Sequence, residues 1–394
     1  MCHDEQKGVI IFIASVFGGG VSKITVTLHN ELSKHIDVKL VQISRKEGDS
    51  FTTGSSDILL PNSKKLSYIH MWYKLPLVLV RLVRLCYNDN IKVIIAMTPL
   101  TGVISIISSL FHKHKTIVSI HAMPSAPESL IDGLLRDILY LLIRITKSPV
   151  VAVSEGVKDE LVSICHINRE QITVIYNPID LETIRRMAEE DVDLPEAVKD
   201  TYLPLLITVG RLVDVKGHHH LIRIFAELQK TNPSYLMIIG TGPNEPYLKD
   251  LVDKYNLNES VFFMGWQENP YPYMAQSSLL TLTSLSEALP TVLIESMIIG
   301  CPILSTNCSP GVREIMGSDN QCGIVSGMLS GARHNIEDSL EDGELAFLKN
   351  LKKILNNRDL REQISAASKK RAKLFDSEIG IQKYIELIDT VTRD

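Results

Sequence analysis

Short, β-branched apolar runs alternate with amphipathic stretches from one end of the chain to the other. Residues 9–14, 38–43, 93–96, 116–120 and 150–153 have the unbroken apolar character of strands buried on both faces. Between them, residues 22–33 and 76–87 space their apolar positions as helices do. The pattern restarts after Asn177 and Pro178. Residues 205–209, 235–239, 261–264, 279–282, 302–305 and 323–325 predict strands, and 219–230 and 245–255 predict helices. Strand–helix alternation builds parallel sheets covered on both faces. Two such series predict an α/β chain of two doubly wound domains, with ligands at the carboxyl ends of the strands. The predicted division is 1–178, 179–375 and a last amphipathic helix over 376–394, packing back toward the first domain.

Length agrees with that division, because 394 residues exceed one ordinary core. The net charge of -5 is too mild for a general nucleic-acid binder, and none is expected as a partner. It is unevenly spread: residues 1–180 carry 19 Lys and Arg against 16 Asp and Glu, net +3, and residues 181–394 carry 22 against 30, net -8. The halves therefore suit different partners. Cys2, Cys86, Cys165, Cys301, Cys308 and Cys322 are scattered with no C-x-x-C pair, so free thiols in a reducing cytoplasm are expected. The first residues are polar rather than leader-like, and the longest apolar run, 102–111, is far short of the roughly 20 residues that span a bilayer. A cytoplasmic protein, soluble or peripheral on the membrane, is expected.

Candidate chemistry concentrates in the second half. After the strand 205–209 comes G-R-L-V-D-V-K-G, from Gly210 to Gly217. Gly210 lets the backbone approach a ligand, and Arg211 and Lys216 can neutralise a diphosphate. The same residues also read as a surface turn with two solvated cations. Residues 284–295, S-L-S-E-A-L-P-T-V-L-I-E, place Pro290 at the first turn of a helix. The N–H groups of Thr291 and Val292 would then face an anion, aided by the helix dipole. Glu295 lies about a turn and a half further on, in reach of two ribose hydroxyls. Glu287 sits in the preceding loop, close to whatever extends beyond the phosphates. Alone, the two carboxylates read as solvated; a strand, a proline and a helix start around them make the pattern specific.

These motifs in this order resemble the retaining glycosyltransferases of family 4, which have the GT-B fold of two Rossmann-like domains facing a central cleft. The resemblance covers nearly the whole chain. It includes V-S-E-G-V at 153–157, V-I-Y-N-P-I-D at 174–180, G-T-G-P at 240–243, G-W-Q-E-N-P-Y-P-Y-M at 265–274 and P-G-V-R-E-I at 310–315. It implies that Arg211 and Lys216 hold a donor diphosphate, Glu295 the ribose, and that Glu287 faces the donor sugar. Ala288, Leu289, Pro290, Thr291 and Val292 would line sugar and phosphate through backbone groups, and Gly265 and Trp266 would cradle the base. The implied partners are a nucleoside-diphosphate sugar, with uridine favoured, and a glycan or polyprenyl-linked acceptor of cell-surface polysaccharide synthesis. No cofactor and no metal is implied.

In the first half, F-G-G-G-V-S-K at 17–23 follows the first strand and opens a helix. It lacks the third glycine of a dinucleotide fingerprint, because Lys23 occupies that place. In the family this loop faces the diphosphate and acceptor across the cleft, which assigns Gly19 and Gly20 to the donor; the Glu often found near Ser22, on the acceptor side, is missing. His121, directly after the strand 116–120, reads equally as structural or functional; the resemblance implies that it positions or polarises the donor sugar. Residues 71–87, with Trp72, Tyr73, Lys74, Arg81 and Arg84, and residues 134–147, with Arg136, Arg144 and Lys147, combine aliphatics with cations. They read as core-plus-solvent helices or as a surface resting on anionic lipid.

Two tempting features are set aside. Asp191-Val192-Asp193 resembles a metal motif but lies in an acidic, helix-like stretch far from any glycine loop. His218, His219 and His220 lack a spaced carboxylate or cysteine partner. Three readings compete with a transferase: a nucleotide-sugar epimerase of the same architecture, a nicotinamide dehydrogenase, disfavoured by the missing glycine, and a non-catalytic sugar-nucleotide sensor.

Overall fold

The computed structural model describes residues 8–15, 20–44, 56–60, 74–126, 129–199, 202–317 and 320–393. They form two compact units, one of residues 1–179 with 375–394 and the other of residues 180–374. In the first, the strands are β1 (Gly8–Ile13), β2 (Val38–Gln42), β3 (Ser56–Ile58), β4 (Ile91–Ala96), β5 (Lys115–Ile120), β6 (Val150–Ala152) and β7 (Ile172–Val174). Its helices are α1 (Gly20–Leu32), α2 (Leu75–Asn88), α3 (Pro99–Ser108), α4 (Leu130–Thr146) and α5 (Glu155–Ser163). All strands pair in parallel, in the order β3-β2-β1-β4-β5-β6-β7. The switch point of this doubly wound sheet lies between β1 and β4.

β1 shows why its sequence carries no polar alternation. Val9, Ile11 and Ile13 point into one core with Ile24, Leu28 and Leu32 of α1. Ile10 and Phe12 point into a second, with Val78, Leu82 and Cys86 of α2 and Ile104 of α3. Each such side chain contributes about 1.5–3 kcal/mol when fully buried, so both faces must be apolar. The first core is closed by a helix from the far end of the chain. Ile381, Tyr384, Ile388 and Val391, spaced along one face of that helix, are buried in it.

The second unit begins with α6 (Leu181–Ala188) and continues through β8 (Leu205–Val209), α7 (His218–Gln229), β9 (Tyr235–Ile239), α8 (Glu245–Lys254), β10 (Val261–Gly265), α9 (Tyr271–Ala275) and β11 (Leu279–Leu282). Then come α10 (Thr291–Ile299), β12 (Ile303–Thr306), α11 (Pro310–Met316), β13 (Ile324–Ser326), α12 (Asp342–Leu355) and α13 (Arg358–Ala372); α14 (Ser377–Arg393) returns to the first unit. The strand order β10-β9-β8-β11-β12-β13 repeats the first plan, with the switch point between β8 and β11.

Several expectations need correcting. β3 and β7 were not expected; each has three residues and sits at a sheet edge, too short to show periodicity. Asp191, Val192 and Asp193 lie in an irregular link, not a helix. Pro290 occupies the N-cap of α10 with ψ of 93°, one position before the first turn predicted for it. Gly19, Trp72 and Tyr73 fall outside the described residues. Among the described residues, no helix is long and apolar enough to cross a membrane.

Candidate functional site

The chain leaves β8 through Gly210 and Arg211, turns at a short 3-10 segment Asp214–Lys216, and enters α7 through Gly217. Gly217 has φ +61°, and a Cβ there would lie 2.2 Å from the Thr283 carbonyl oxygen. Only glycine permits that approach of the loop after β8 to the loop after β11. The contact is stitched on both sides: Leu285 N–H donates to the Val215 carbonyl at 2.8 Å, and Thr283 Oγ1 donates to the Lys216 carbonyl at 3.2 Å. Leu212, with no exposed surface, anchors the first loop below. β8 and β11 are direct neighbours, so both loops emerge at the switch point.

On this frame Lys216 Nζ donates to Glu287 Oε1 at 2.5 Å, and Ser284 Oγ donates to the same oxygen at 2.7 Å. Thr306 Oγ1, at the end of β12, donates to the Ser284 carbonyl at 2.6 Å and fixes that loop from its other flank. Both charged side chains are mostly buried, at 20% and 14% exposure. A pair so placed costs desolvation and contributes little net stability. What it supplies is a cation and a carboxylate held in fixed positions. Arg211, by contrast, is exposed.

α10 carries the next part. Thr291 and Val292 begin its first turn, where N–H groups have no intrahelical acceptor. Glu295, 8% exposed, accepts a hydrogen bond from Tyr271 of α9 at 3.4 Å. Ala288 and Leu289 are buried in the connecting loop. At the ends of β9 and β10, Gly240 N–H donates to the Gly265 carbonyl at 2.7 Å. A Cβ on Gly240 would lie 1.9 Å from the Gly210 carbonyl oxygen, so the ends of three strands close together in bare backbone. Trp266, half exposed, projects just beyond.

Cys308 was not singled out by spacing, yet it lies close enough to Glu287 and Lys216 to feel both charges. Burial, then the Glu287 carboxylate, push its thiol up to about 12. It is therefore a neutral group at neutral pH, not a nucleophile. Tyr271 was likewise legible only as part of a motif, since its partner Glu295 is 24 residues away.

In the first unit, Gly20 opens α1, and a Cβ there would meet no heavy atom within 4 Å. His121 directly follows β5, with Nε2 2.9 Å from Ser119 Oγ, which lies 3.3 Å from Tyr384 Oη of α14. Burial lowers the imidazole to about 4, against an opposing contribution from Asn177. A neutral ring suits hydrogen-bonded positioning and rules out a standing cation at neutral pH. His218, His219 and His220 are all buried in the first turn of α7. His220 Nδ1 is 2.8 Å from Glu344, which also accepts from Arg223 Nε at 3.0 Å, a buried network joining α7 to α12.

Comparison with known proteins bears on these features. Residues 18–183 match the family model "Glycosyltransferase Family 4", and residues 190–371 match "Glycosyl transferases group 1". The chain is 29% identical over 369 residues, 93% of its length and 95% of the relative's, to the N-acetylgalactosamine-N,N'-diacetylbacillosaminyl-diphospho-undecaprenol 4-alpha-N-acetylgalactosaminyltransferase of Campylobacter jejuni. Among solved structures, sucrose-phosphate synthase from Thermosynechococcus elongatus superposes with TM-score 0.80 at 15% identity, covering 98% of this chain and 99% of that one. The Anabaena protein HepE, solved in complex with UDP and glucose, superposes with TM-score 0.75 at 16% identity, covering 98% and 100%. At those identities the structural likeness speaks for the fold, while the two family models between them account for the site-bearing loops of both units. This chain belongs to the family 4 glycosyltransferases of the GT-B fold.

Proposed function

We propose that this glycosyltransferase moves a sugar from a uridine-diphosphate donor to a hydroxyl of a lipid-linked cell-surface glycan, with retention at the anomeric carbon. The observation that carries the donor reading is the Lys216–Glu287 pair, held between the loops that follow two neighbouring strands at a switch point. An incoming diphosphate competes with Glu287 for Lys216 and frees the carboxylate to face the sugar. Glu295 takes ribose hydroxyls, and the backbone around Gly265 and Trp266 takes the base. Uridine is supported by the neighbour of the same fold solved with UDP and glucose. The acceptor class is supported by the Campylobacter relative, whose name specifies a diphospho-undecaprenol-linked glycan.

In the transfer, the bond from the anomeric carbon to the diphosphate oxygen breaks as the acceptor oxygen bonds to the same face of that carbon. The acceptor proton passes to the departing phosphate oxygen. Charge growing on the diphosphate is met by Arg211, Lys216 and the start of α10, without a divalent ion. His121 and Gly20 serve the sugar and acceptor as neutral groups.

Location at a membrane surface belongs to the same reading. On α4, Leu130, Leu134 and Ile145 are 94%, 59% and 69% exposed, with Leu141 on the same stripe and Arg144 and Lys147 at its end. An outward apolar stripe ending in cations suits the cytoplasmic face of an anionic bilayer. Sedimentation with vesicles tests it: binding to phosphatidylglycerol vesicles, lost in Leu134→Glu/Ile145→Glu, supports it, and equal recovery in the supernatant with and without vesicles contradicts it.

The reaction is tested by incubating the protein with a panel of UDP-sugars, N-acetylhexosamines first, and a polyprenyl-diphosphate glycan. Mass spectrometry reads the added sugar and NMR its anomeric configuration. An inverted linkage contradicts the retaining mechanism. Activity abolished in EDTA and restored by Mn²⁺ contradicts the metal-free one.

A further inference from the structure

At the opposite end of β5 from His121, three metal-ligating side chains converge. Cys86 comes from the last turn of α2, and His112 and His114 from the turn between α3 and β5. One donor atom from each lies within 4.8 Å of the others. Cys86 has no exposed surface, His114 is 3% exposed, and His112 is partly open to solvent.

The hydrogen bonds around His114 fix its tautomer. Ser108 Oγ spends its proton on the Ser105 carbonyl at 2.8 Å. His114 Nε2 sits 3.2 Å from that carbonyl oxygen and 3.2 Å from Ser108 Oγ. Both can then only accept, so Nε2 carries the proton and Nδ1 presents a lone pair. That lone pair faces His112 Nδ1 at 3.2 Å. A backbone carbonyl on the far ring nitrogen is the usual support of a metal-bound histidine. The separation also fits: two nitrogens at about 2.1 Å from a tetrahedral zinc are about 3.4 Å apart. The rings of His112 and His114 lie nearly parallel, at 26° with centroids 5.4 Å apart, and Tyr87 packs edge-on against His112.

We infer that Cys86, His112 and His114 form a zinc site, with water in the fourth position. One thiolate and two imidazoles select a borderline-soft ion such as zinc over magnesium or calcium. On binding, the Cys86 sulfur loses its proton to water and bonds to the metal. His114 binds through the lone pair it already presents. His112 Nδ1 donates to that lone pair in the metal-free chain, so on binding its ring proton moves from Nδ1 to Nε2 and Nδ1 takes the metal. Asp89 beside Cys86 is paired with Lys39 at 2.9 Å, so the ligands themselves, rather than flanking charge, carry the binding.

β5 separates the site from His121 by about 20 Å, so it lies apart from the residues assigned to sugar transfer. Its position ties α2 to the turn carrying Leu110 and Phe111, which are 75% and 60% exposed, and Tyr87 Oη already donates to the Phe111 carbonyl at 2.8 Å. Zinc would hold this exposed apolar tip in one conformation.

The test is a titration of the full-length chain, first stripped with a chelator, using cobalt as a spectroscopic stand-in and then zinc. The expected result is one cobalt per chain, with tetrahedral d–d bands and a thiolate-to-cobalt charge-transfer band, and a higher Tm with zinc. Cys86→Ser removes the charge-transfer band. His112→Gln, at a partly exposed position that leaves the fold intact, weakens affinity by about tenfold or more, and it decides the matter should the buried Cys86→Ser fail to fold. Metal bound without the thiolate band, as the group His220, His334 and Glu341 would bind it, overturns the proposal. So does affinity unchanged in His112→Gln, or no binding at all.

Discussion

Lys216 Nζ and Glu287 Oε1 lie 2.5 Å apart although 71 residues separate them in the chain. The pairing is produced by topology: β8 and β11 are neighbours only because the sheet reverses its winding there. Gly217, Thr283 and Leu285 then lock the two following loops together, which fixes the backbone beneath both charges.

Replacing Lys216 with Ala leaves Glu287 without its ion-pair partner and, in the proposed reaction, removes a cation from the leaving diphosphate. Loss of one such electrostatic donor costs about a hundredfold or more in turnover. Steady-state kinetics of Lys216→Ala and Arg211→Ala should show kcat falling more than KM rises. A change confined to KM would mean that the cations bind donor without stabilising the transition state.

Gly217→Ala tests the loop frame without touching a charge. The substitution places a Cβ against the Thr283 carbonyl in a backbone conformation that costs a non-glycine residue about 1 kcal/mol or more by itself. We expect a lower Tm and weaker donor binding together. Wild-type stability and affinity would show that the two loops can part at no cost.

Four histidines set a pH dependence. Burial holds His121, His114 and His219 at about 4 and His218 at about 3, against 6.5 for the free side chain. Between those values the unfolded chain binds protons that the native chain refuses, so stability is full above pH 6.5 and falls as pH drops toward 4. Thermal melts across that window should show the decline, and NMR titration should find His121 neutral at pH 6. A His121 midpoint near 6.5 would contradict the burial argument.

The closing helix α14 offers a graded test of the first core. Ile388→Ala removes a side chain buried among Ile24, Leu28 and the β1 residues, at a cost of about 2–5 kcal/mol. Tyr384→Phe removes only the hydroxyl beside Ser119, at about 1 kcal/mol. Denaturant melts should rank them in that order. Equal effects would mean that α14 is held by its polar contact rather than its apolar face.

The strands of the second unit were legible because each is a run of three to five mostly apolar residues between glycine, proline or polar breaks. β3 was not, because Ser56 and Asp57 give an edge strand no apolar signature. The placement of Arg211, Lys216, Glu287 and Glu295 beside strand ends and a helix start was also legible. Their partners were not. Nothing in linear order pairs Glu295 with Tyr271 or brings Cys308 beside Glu287. The cluster of Cys86, His112 and His114 is hidden for the same reason, since it is assembled across α3 and has no ligand spacing of its own. His218, His219 and His220, conspicuous in sequence, became buried residues of α7, with His220 bonded to Glu344.

In the proposed reaction Lys216, positioned by Glu287, stabilises the diphosphate leaving a uridine donor. The most direct measurement is the rate of sugar transfer from the UDP-sugar that the wild type uses to a polyprenyl-diphosphate glycan, compared with that of a folded Lys216→Ala variant of unchanged Tm. A loss of about a hundredfold or more is expected; transfer by the variant at the wild-type rate would rule out this role for Lys216.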